Sequence, residues 1–171
     1  MDHIIIRQED KNDFIRIRDI VKSAFATAQH SDGDEHNLVD RIRASEEYIP
    51  QLSLVAIKNG SIVGHVMMSK ITVGLRHAVA IAPLSVHPDF QKSGIGRLLV
   101  EEAHSKAREM GYTCCVVLGY PGYYSKFGYV KASPFGIYPP FDVPDECYMV
   151  CPFVPAETLP CGTVRYSEAF G

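Results

Sequence analysis

Two short segments have the residue types and spacing for chemistry. The first reads Gln91-Lys92-Ser93-Gly94-Ile95-Gly96-Arg97 and follows an apolar run across His87-Pro88-Asp89. Glycines without a Cβ let the chain wrap tightly and aim several N–H groups at one point. A helix starting there adds partial positive charge. Such a turn can hold phosphate or pyrophosphate, and it can also be a plain strand-to-helix connection. It is not a Walker loop, because no Gly-Lys-Ser/Thr closes it. It fits the dinucleotide fingerprint poorly, because Leu99 stands where the third glycine belongs. The second segment is Tyr123-Tyr124-Ser125-Lys126-Phe127-Gly128-Tyr129. A tyrosine with a pKa of about 10 keeps its proton at neutral pH and can donate it to a leaving anion.

Thiol and metal chemistry fit less well. The five cysteines stand at 114, 115, 147, 151 and 161, an odd number with no C-x-x-C spacing. Cys114 and Cys115 are neighbours in an apolar run, and neighbours on a strand point to opposite faces. We expect reduced, mostly buried thiols in a cytoplasmic protein, with no disulfide framework and no metal site.

The elements around these segments follow from apolar periodicity. Ile4 to Arg7 is a short strand. Phe14, Ile17, Val21 and Phe25 form one helical stripe within Asp10 to Ala26, and Glu35 to Ala44 is a second amphipathic helix. Between them Thr27 to Asp34 is a polar loop. Ser53 to Lys58 and Ser61 to Val73 flank Asn59-Gly60, which predicts a hairpin. His77 to Val86 is the next strand. Gly96 to Met110 is the best helix of the sequence, with Leu99, Ala103, Ala107 and Met110 on one face and Gly111 ending it. Thr113 to Leu118 reads as a strand buried on both faces. A helical turn over Pro121 to Phe127 follows, then strands at Gly128 to Ala132, Cys147 to Val154 and Thr163 to Tyr166. Hairpins followed by a βαβ crossover give an α/β fold with a mixed sheet and helices on its faces.

With these elements in place, the chain resembles the GNAT acetyltransferase superfamily. The loop matches that family's Q/R-x-x-G-x-G/A pyrophosphate motif. The tyrosine segment is similar to its Tyr-x-x-hydrophobic-Gly-Phe element, which follows the next strand. Ser53-Leu54-Val55-Ala56, Gly64-His65, Ala82-Pro83-Leu84-Ser85-Val86 and Val117-Leu118-Gly119 extend the likeness to a bacterial branch of N-acetyltransferases. It spans Ile5 to Phe170. The resemblance implies a largely antiparallel sheet with one central parallel strand pair, splayed at a bulge, and helices on both faces. Pro83, lacking an N–H, suits that bulge.

The resemblance also implies acetyl-CoA as co-substrate. Backbone groups of Leu84, Ser85 and Val86 would meet the pantetheine, and Gln91, Lys92, Ser93, Gly94, Ile95, Gly96 and Arg97 the pyrophosphate. Tyr124 would be the general acid near the CoA sulfur, with Tyr123 facing elsewhere. A thiolate of pKa near 8.5 is the weaker base, so full transfer from tyrosine is uphill by about 2 kcal/mol. Hydrogen-bond stabilisation of the thiolate with eventual donation is the expected role. The base is open. Relatives often carry a Glu on the strand before the loop, and Ala78 to Val86 has no carboxylate. Glu35, His36, His65 and His77 remain as candidates. A second departure is Tyr120, where the family often has Asn.

Composition limits the alternatives. With 171 residues, the chain sets the expectation of one domain over 1–171. Hydrophobic residues make up 46% and charged residues 22%, which excludes disorder as the main state. No stretch approaches the roughly 18 apolar residues of a membrane span, and Met1-Asp2-His3-Ile4 opens no signal peptide. A formal net charge of −3 and a pI near 6.1 argue against a general nucleic-acid binder. The expected activity is acetyl transfer from acetyl-CoA to a small-molecule or peptide amine, by direct attack in a ternary complex. The alternative is a non-catalytic acyl-CoA-binding or sensing module of the same fold. Acceptor identity and oligomeric state are not written in these residues.

Overall fold

The structure is a computed structural model that describes residues 3–26 and 31–170. Residues 27–30 of the expected loop Thr27 to Asp34 lie outside the described residues.

The first strand, β1 (Ile4–Gln8), leads into a capping box. Asp10 accepts from the Asn12 N–H, and Asp13 accepts from the Asp10 N–H. Helix α1 (Phe14–Phe25) starts there and buries Ile17, Ile20 and Val21 on its apolar stripe. Helix α2 (Glu35–Arg43) buries Val39 and Ile42 beside it. Strands β2 (Tyr48–Lys58) and β3 (Ser61–Val73) form the Asn-Gly hairpin, and Asn59 and Gly60 both take positive φ. β2 begins five residues before the expected Ser53, because the Pro-containing stretch from Tyr48 still buries Ile49 and Leu52 and pairs across a bulge between Tyr48 and Ser53. β4 (Arg76–Val86), α3 (Ile95–Glu109) and β5 (Cys114–Leu118) form the crossover. Met110 falls just past the helix and is exposed, so it leaves the face shared by Leu99, Ala103 and Ala107. A short α4 (Pro121–Tyr124) follows, then β6 (Val130–Lys131), β7 (Ile137–Tyr138), β8 (Tyr148–Pro152) and β9 (Gly162–Arg165). The two-residue β7, too short for periodicity to signal, was not expected.

Among the described residues the sheet runs β1-β2-β3-β4-β5-β8-β6, with β9 on the far end of β3 and β7 beside β9. Every pair along that path is antiparallel except β4–β5. One face packs α3 through Ile95, Leu99, Val100, Ala103 and Ala107. The other face packs α1 and α2, and further along it the chain after β5. Cys114 and Cys115 separate to opposite faces, as strand alternation requires.

One interruption in the sheet positions the site. β4 and β5 pair only at Val79–Cys115 and Ala80–Val116. On the other side of β4, Val66 pairs with Leu84 and Met68 with Ile81, so two steps of β3 face three of β4. The extra residue is a bulge at Ala82–Pro83. It bends the end of β4 away from β5, and a wedge opens between Leu84–Val86 and Val117–Leu118.

Candidate active site

The wedge continues into a cleft of about 830 Å³. Its walls are the end of α1 (Ala24, Phe25), the end of β4 (Leu84, Val86), the loop and start of α3, and the aromatic turn around α4. Backbone direction on β4 is fixed by one bond. The His87 N–H donates to the Val63 carbonyl at 2.8 Å. By strand alternation the N–H groups of Leu84 and Val86 point the other way, into the wedge. The Gln91 side chain donates to the Val86 carbonyl at 3.1 Å and ties the loop to the strand.

The loop itself needs unusual backbone. Lys92 has φ +63° and Gly94 φ +89°. A Cβ on Gly94 would meet nothing within 4 Å, so that glycine is required by its φ and not by crowding. Gly96 is the crowded one: a Cβ there would collide with the Tyr123 hydroxyl. The Leu98 N–H closes the first turn of α3 onto the Gly94 carbonyl at 3.1 Å. The N–H groups of Ile95, Gly96 and Arg97 therefore have no partner within the helix and face the cleft mouth. Lys92, Arg97 and Lys126 line the cleft, and no Asp or Glu is among the described residues that line it. Arg97 lies over the Phe127 ring, 5.4 Å from its centroid, which holds the guanidinium at the rim. Unpaired amides, three cations and no carboxylate fit a phosphate-bearing ligand.

Tyr124 is at the inner end. Its ring packs edge-on against Tyr123, Phe127 and Tyr129, and a Cβ on Gly119 would strike it. Its hydroxyl makes no hydrogen bond to the described residues and borders the cleft. Burial pushes its pKa well above the usual tyrosine value, so it is a donor throughout the neutral range. Tyr123 lines the same cleft beside Gly96, where spacing had turned it elsewhere. The turn is short and partly 3-10, so adjacent residues can share a wall.

The remaining expected residues divide. Leu84, Val86, Gln91, Lys92, Gly94, Ile95, Gly96 and Arg97 line the cleft with Tyr124. Ser93 stays in the loop and its hydroxyl donates to the Phe90 carbonyl. The Ser85 side chain turns to the opposite face, and by the same alternation its N–H and carbonyl point to β3, so Leu84 and Val86 are the residues of this segment that offer amides to the wedge. Of the base candidates, Glu35 accepts from the Ser31 hydroxyl and His36 is buried in α2. His77 is exposed at the far end of β4 and lines a different cavity. His65 is fully buried beside Glu9, which sequence reading did not single out. Nor did it find Ala24 and Phe25 in the cleft, because spacing within a chain does not say where a helix end will dock.

A parallel pair splayed by a bulge, with a glycine turn and helix N-terminus at its mouth, defines an acyl-CoA-type acyltransferase fold. The family model described as acetyltransferase (GNAT) family matches residues 14–129, and the chain belongs to this family. It is 31% identical over 158 residues to an uncharacterized N-acetyltransferase, YjhQ, of Escherichia coli, covering 86% of this chain and 83% of that protein. Two solved structures cover 99% of this chain. One is a GNAT family acetyltransferase from Brucella melitensis in complex with acetyl-CoA, with a TM-score of 0.83, 31% identity and 99% of that chain covered. The other is YhbS of Escherichia coli in complex with CoA, with a TM-score of 0.85, 27% identity and 93% of that chain covered.

Proposed function

We propose that this chain transfers an acetyl group from acetyl-CoA to a small-molecule or peptide amine, by direct attack in a ternary complex. The observation that carries this reading is the cleft where β4 parts from β5. It combines inward strand amides, a glycine-turned helix start and the Tyr124 hydroxyl at the inner end. Residues 1–171 act as one domain, since all three apolar clusters share one sheet. Five free thiols suit a reducing compartment such as the cytoplasm.

Acetyl-CoA supplies a thioester carbonyl and, after attack, a thiolate leaving group. The loop from Gln91 to Arg97 holds the pyrophosphate through backbone amides, with Lys92 and Arg97 as counter-charges. The Leu84–Val86 backbone binds the pantetheine arm, and an N–H of that segment polarises the carbonyl oxygen. Tyr124 donates a hydrogen bond to the departing sulfur. Its raised pKa makes full transfer more uphill than in water, so stabilisation of the thiolate is its main contribution.

The test is release of free thiol from acetyl-CoA in the presence of an amine panel, beside a thermal shift with CoA. Thiol release with an amine supports transfer. A thermal shift without turnover identifies the binding-module alternative. No shift at all removes both.

A further inference from the structure

The loop amides and the cations take one end of the cleft, which leaves the rest of it to the acceptor. That remainder reaches the face of the sheet opposite α3, because Ala24 and Phe25 at the end of α1 form part of its wall. β4 and β5 last pair at Ala80–Val116. Val116 is buried in the apolar cluster on the face opposite α3, and Leu118 shares that face by strand alternation. Yet Leu118 is 47% exposed. The cover over this face therefore stops where the two strands part. Tyr120, two residues further on, lines the cleft and is 53% exposed.

What borders Leu118 on this face is aromatic. Its partner across the β5–β8 ladder is Tyr148. The Phe141 ring stands edge-on to Tyr148, 6.1 Å between centroids, and stacks on Tyr166 at 5.9 Å. Tyr166 in turn meets Phe170 at 5.0 Å. The Tyr148 and Tyr166 hydroxyls bond to each other at 2.8 Å, so they are engaged within this row of rings. Phe141 is itself 42% exposed. Phe25, Leu118, Tyr120 and Phe141 thus gather apolar surface beside the point where β5 leaves β4, and a contiguous exposed apolar group of this kind marks a binding surface. The charges point the same way. No Asp or Glu among the described residues lines the cleft, while Lys92, Arg97 and Lys126 do, so a polycation meets repulsion and no counter-charge.

We propose that the acceptor is a small primary amine on an aromatic or branched apolar body, seated against Phe25, Leu118, Tyr120 and Phe141. This rests on the acetyltransferase reading above and names its substrate class. Binding removes the exposed side chains and the acceptor's body from water together, which drives association. A polyamine, an amino sugar or a lysine of a basic peptide would have to shed water from charges or hydroxyls there without gaining partners. The same walls favour the free amine over the ammonium, because a low-dielectric surrounding disfavours the charged form. The ammonium gives its proton to water on entering, and a carboxylate on β4 is not required. The free amine then attacks the thioester carbon. The N–C bond forms, the C–S bond breaks, and the proton that nitrogen sheds balances the thiol that leaves as CoA. Leu118 and Phe141 set specificity through the acceptor's body and do not meet the reacting atoms.

Thiol release from acetyl-CoA with phenethylamine, spermidine, glucosamine and a lysine-containing peptide tests the assignment. The expected kcat/KM is about 100-fold higher for phenethylamine than for the other three, the scale of discrimination an apolar pocket gives. Leu118→Gln and Phe141→Ala should each raise KM for phenethylamine about 10-fold, with kcat and the CoA-induced thermal shift unchanged. Leu118 ends its strand half-exposed, so Leu118→Gln tests the wall even where Phe141→Ala fails to fold. Spermidine, glucosamine or the peptide matching phenethylamine overturns the apolar acceptor and leaves acetyl transfer standing. So does a folded Leu118→Gln variant with the parent's KM for phenethylamine. A parent that shifts with CoA but releases thiol with no amine overturns the transfer reading and the apolar acceptor with it.

Discussion

Tyr124 has one hydroxyl, and its surroundings leave that hydroxyl to the cleft. Tyr124→Phe keeps the ring contacts with Tyr123, Phe127 and Tyr129 and removes only the donor. Turnover should fall by roughly 10²–10³, with CoA affinity nearly unchanged, as for an interaction made mainly in the transition state. A fall in Tm with activity retained would instead make Tyr124 a packing residue. Gly119 offers a second handle on the same atom. Its missing Cβ is the space the Tyr124 ring occupies. Gly119→Ala should displace the ring and lower kcat as Tyr124→Phe does, without touching the phosphate loop. Comparing kcat and CoA affinity for the two variants checks this, and a Gly119→Ala enzyme with full kcat would contradict it.

At the scale of elements, the bulge in β4 and the start of α3 act together. The bulge frees two strand amides, and the loop turns three helix amides to the same cleft. CoA at 100 times its Kd should stabilise the fold by about 2.7 kcal/mol. Gly94 and Gly96 should fail for different reasons when replaced. Gly94→Ala strains a backbone held at φ +89° but fills open space. It should lower Tm and weaken the CoA-induced shift as the loop relaxes. Gly96→Ala drives Tyr123 off the helix start and should weaken CoA binding more than it lowers Tm. Parallel melts of each variant with and without CoA separate the two, and identical patterns would refute the distinction.

Across the whole molecule, buried titratable groups set the response to acid. His104 is packed under Phe153 and bonded to the Tyr129 hydroxyl at 2.8 Å. Burial, helped by Arg108, pushes its pKa down to about 4. His65 is also lowered by burial, and Glu9 is held well below the carboxylate range. In all three cases the unfolded chain binds more protons than the native one. Stability should therefore fall as pH drops below the ordinary histidine value of 6.5, and Glu9 adds to the loss below about 4.5. His104 alone accounts for on the order of 3 kcal/mol by pH 4, or about 6–12 °C in Tm. Calorimetry from pH 7 to pH 4 checks this; a flat Tm would contradict it. The thiols give a second whole-molecule test. Cys161 is exposed, Cys147 partly so, and Cys114, Cys115 and Cys151 are buried. One thiol should react quickly with a thiol reagent in the native protein, and all five on unfolding without prior reduction.

The sequence by itself determined most of the elements and the phosphate half of the cleft. Helical stripes, the Asn-Gly hairpin and the Gly94-x-Gly96 turn are local patterns, and local backbone preferences enforce them. Pro83 marked the bulge for the same reason: a residue without an N–H cannot continue a central ladder. What only the tertiary structure decided depends on contacts between distant positions. The end of α1 enters the cleft because its apolar stripe packs on β3 and β4. Gly96 and Gly119 matter because Tyr123 and Tyr124 fold back over them, 27 and 5 residues away in sequence. His65, one titratable residue among several in the sequence, becomes distinctive only when the turn after β1 brings Glu9, and β2 brings Ser53, to its Nε2. Spacing along a chain fixes periodicity and turn chemistry. It does not fix which buried polar groups meet, because that follows from how the faces of the sheet are covered.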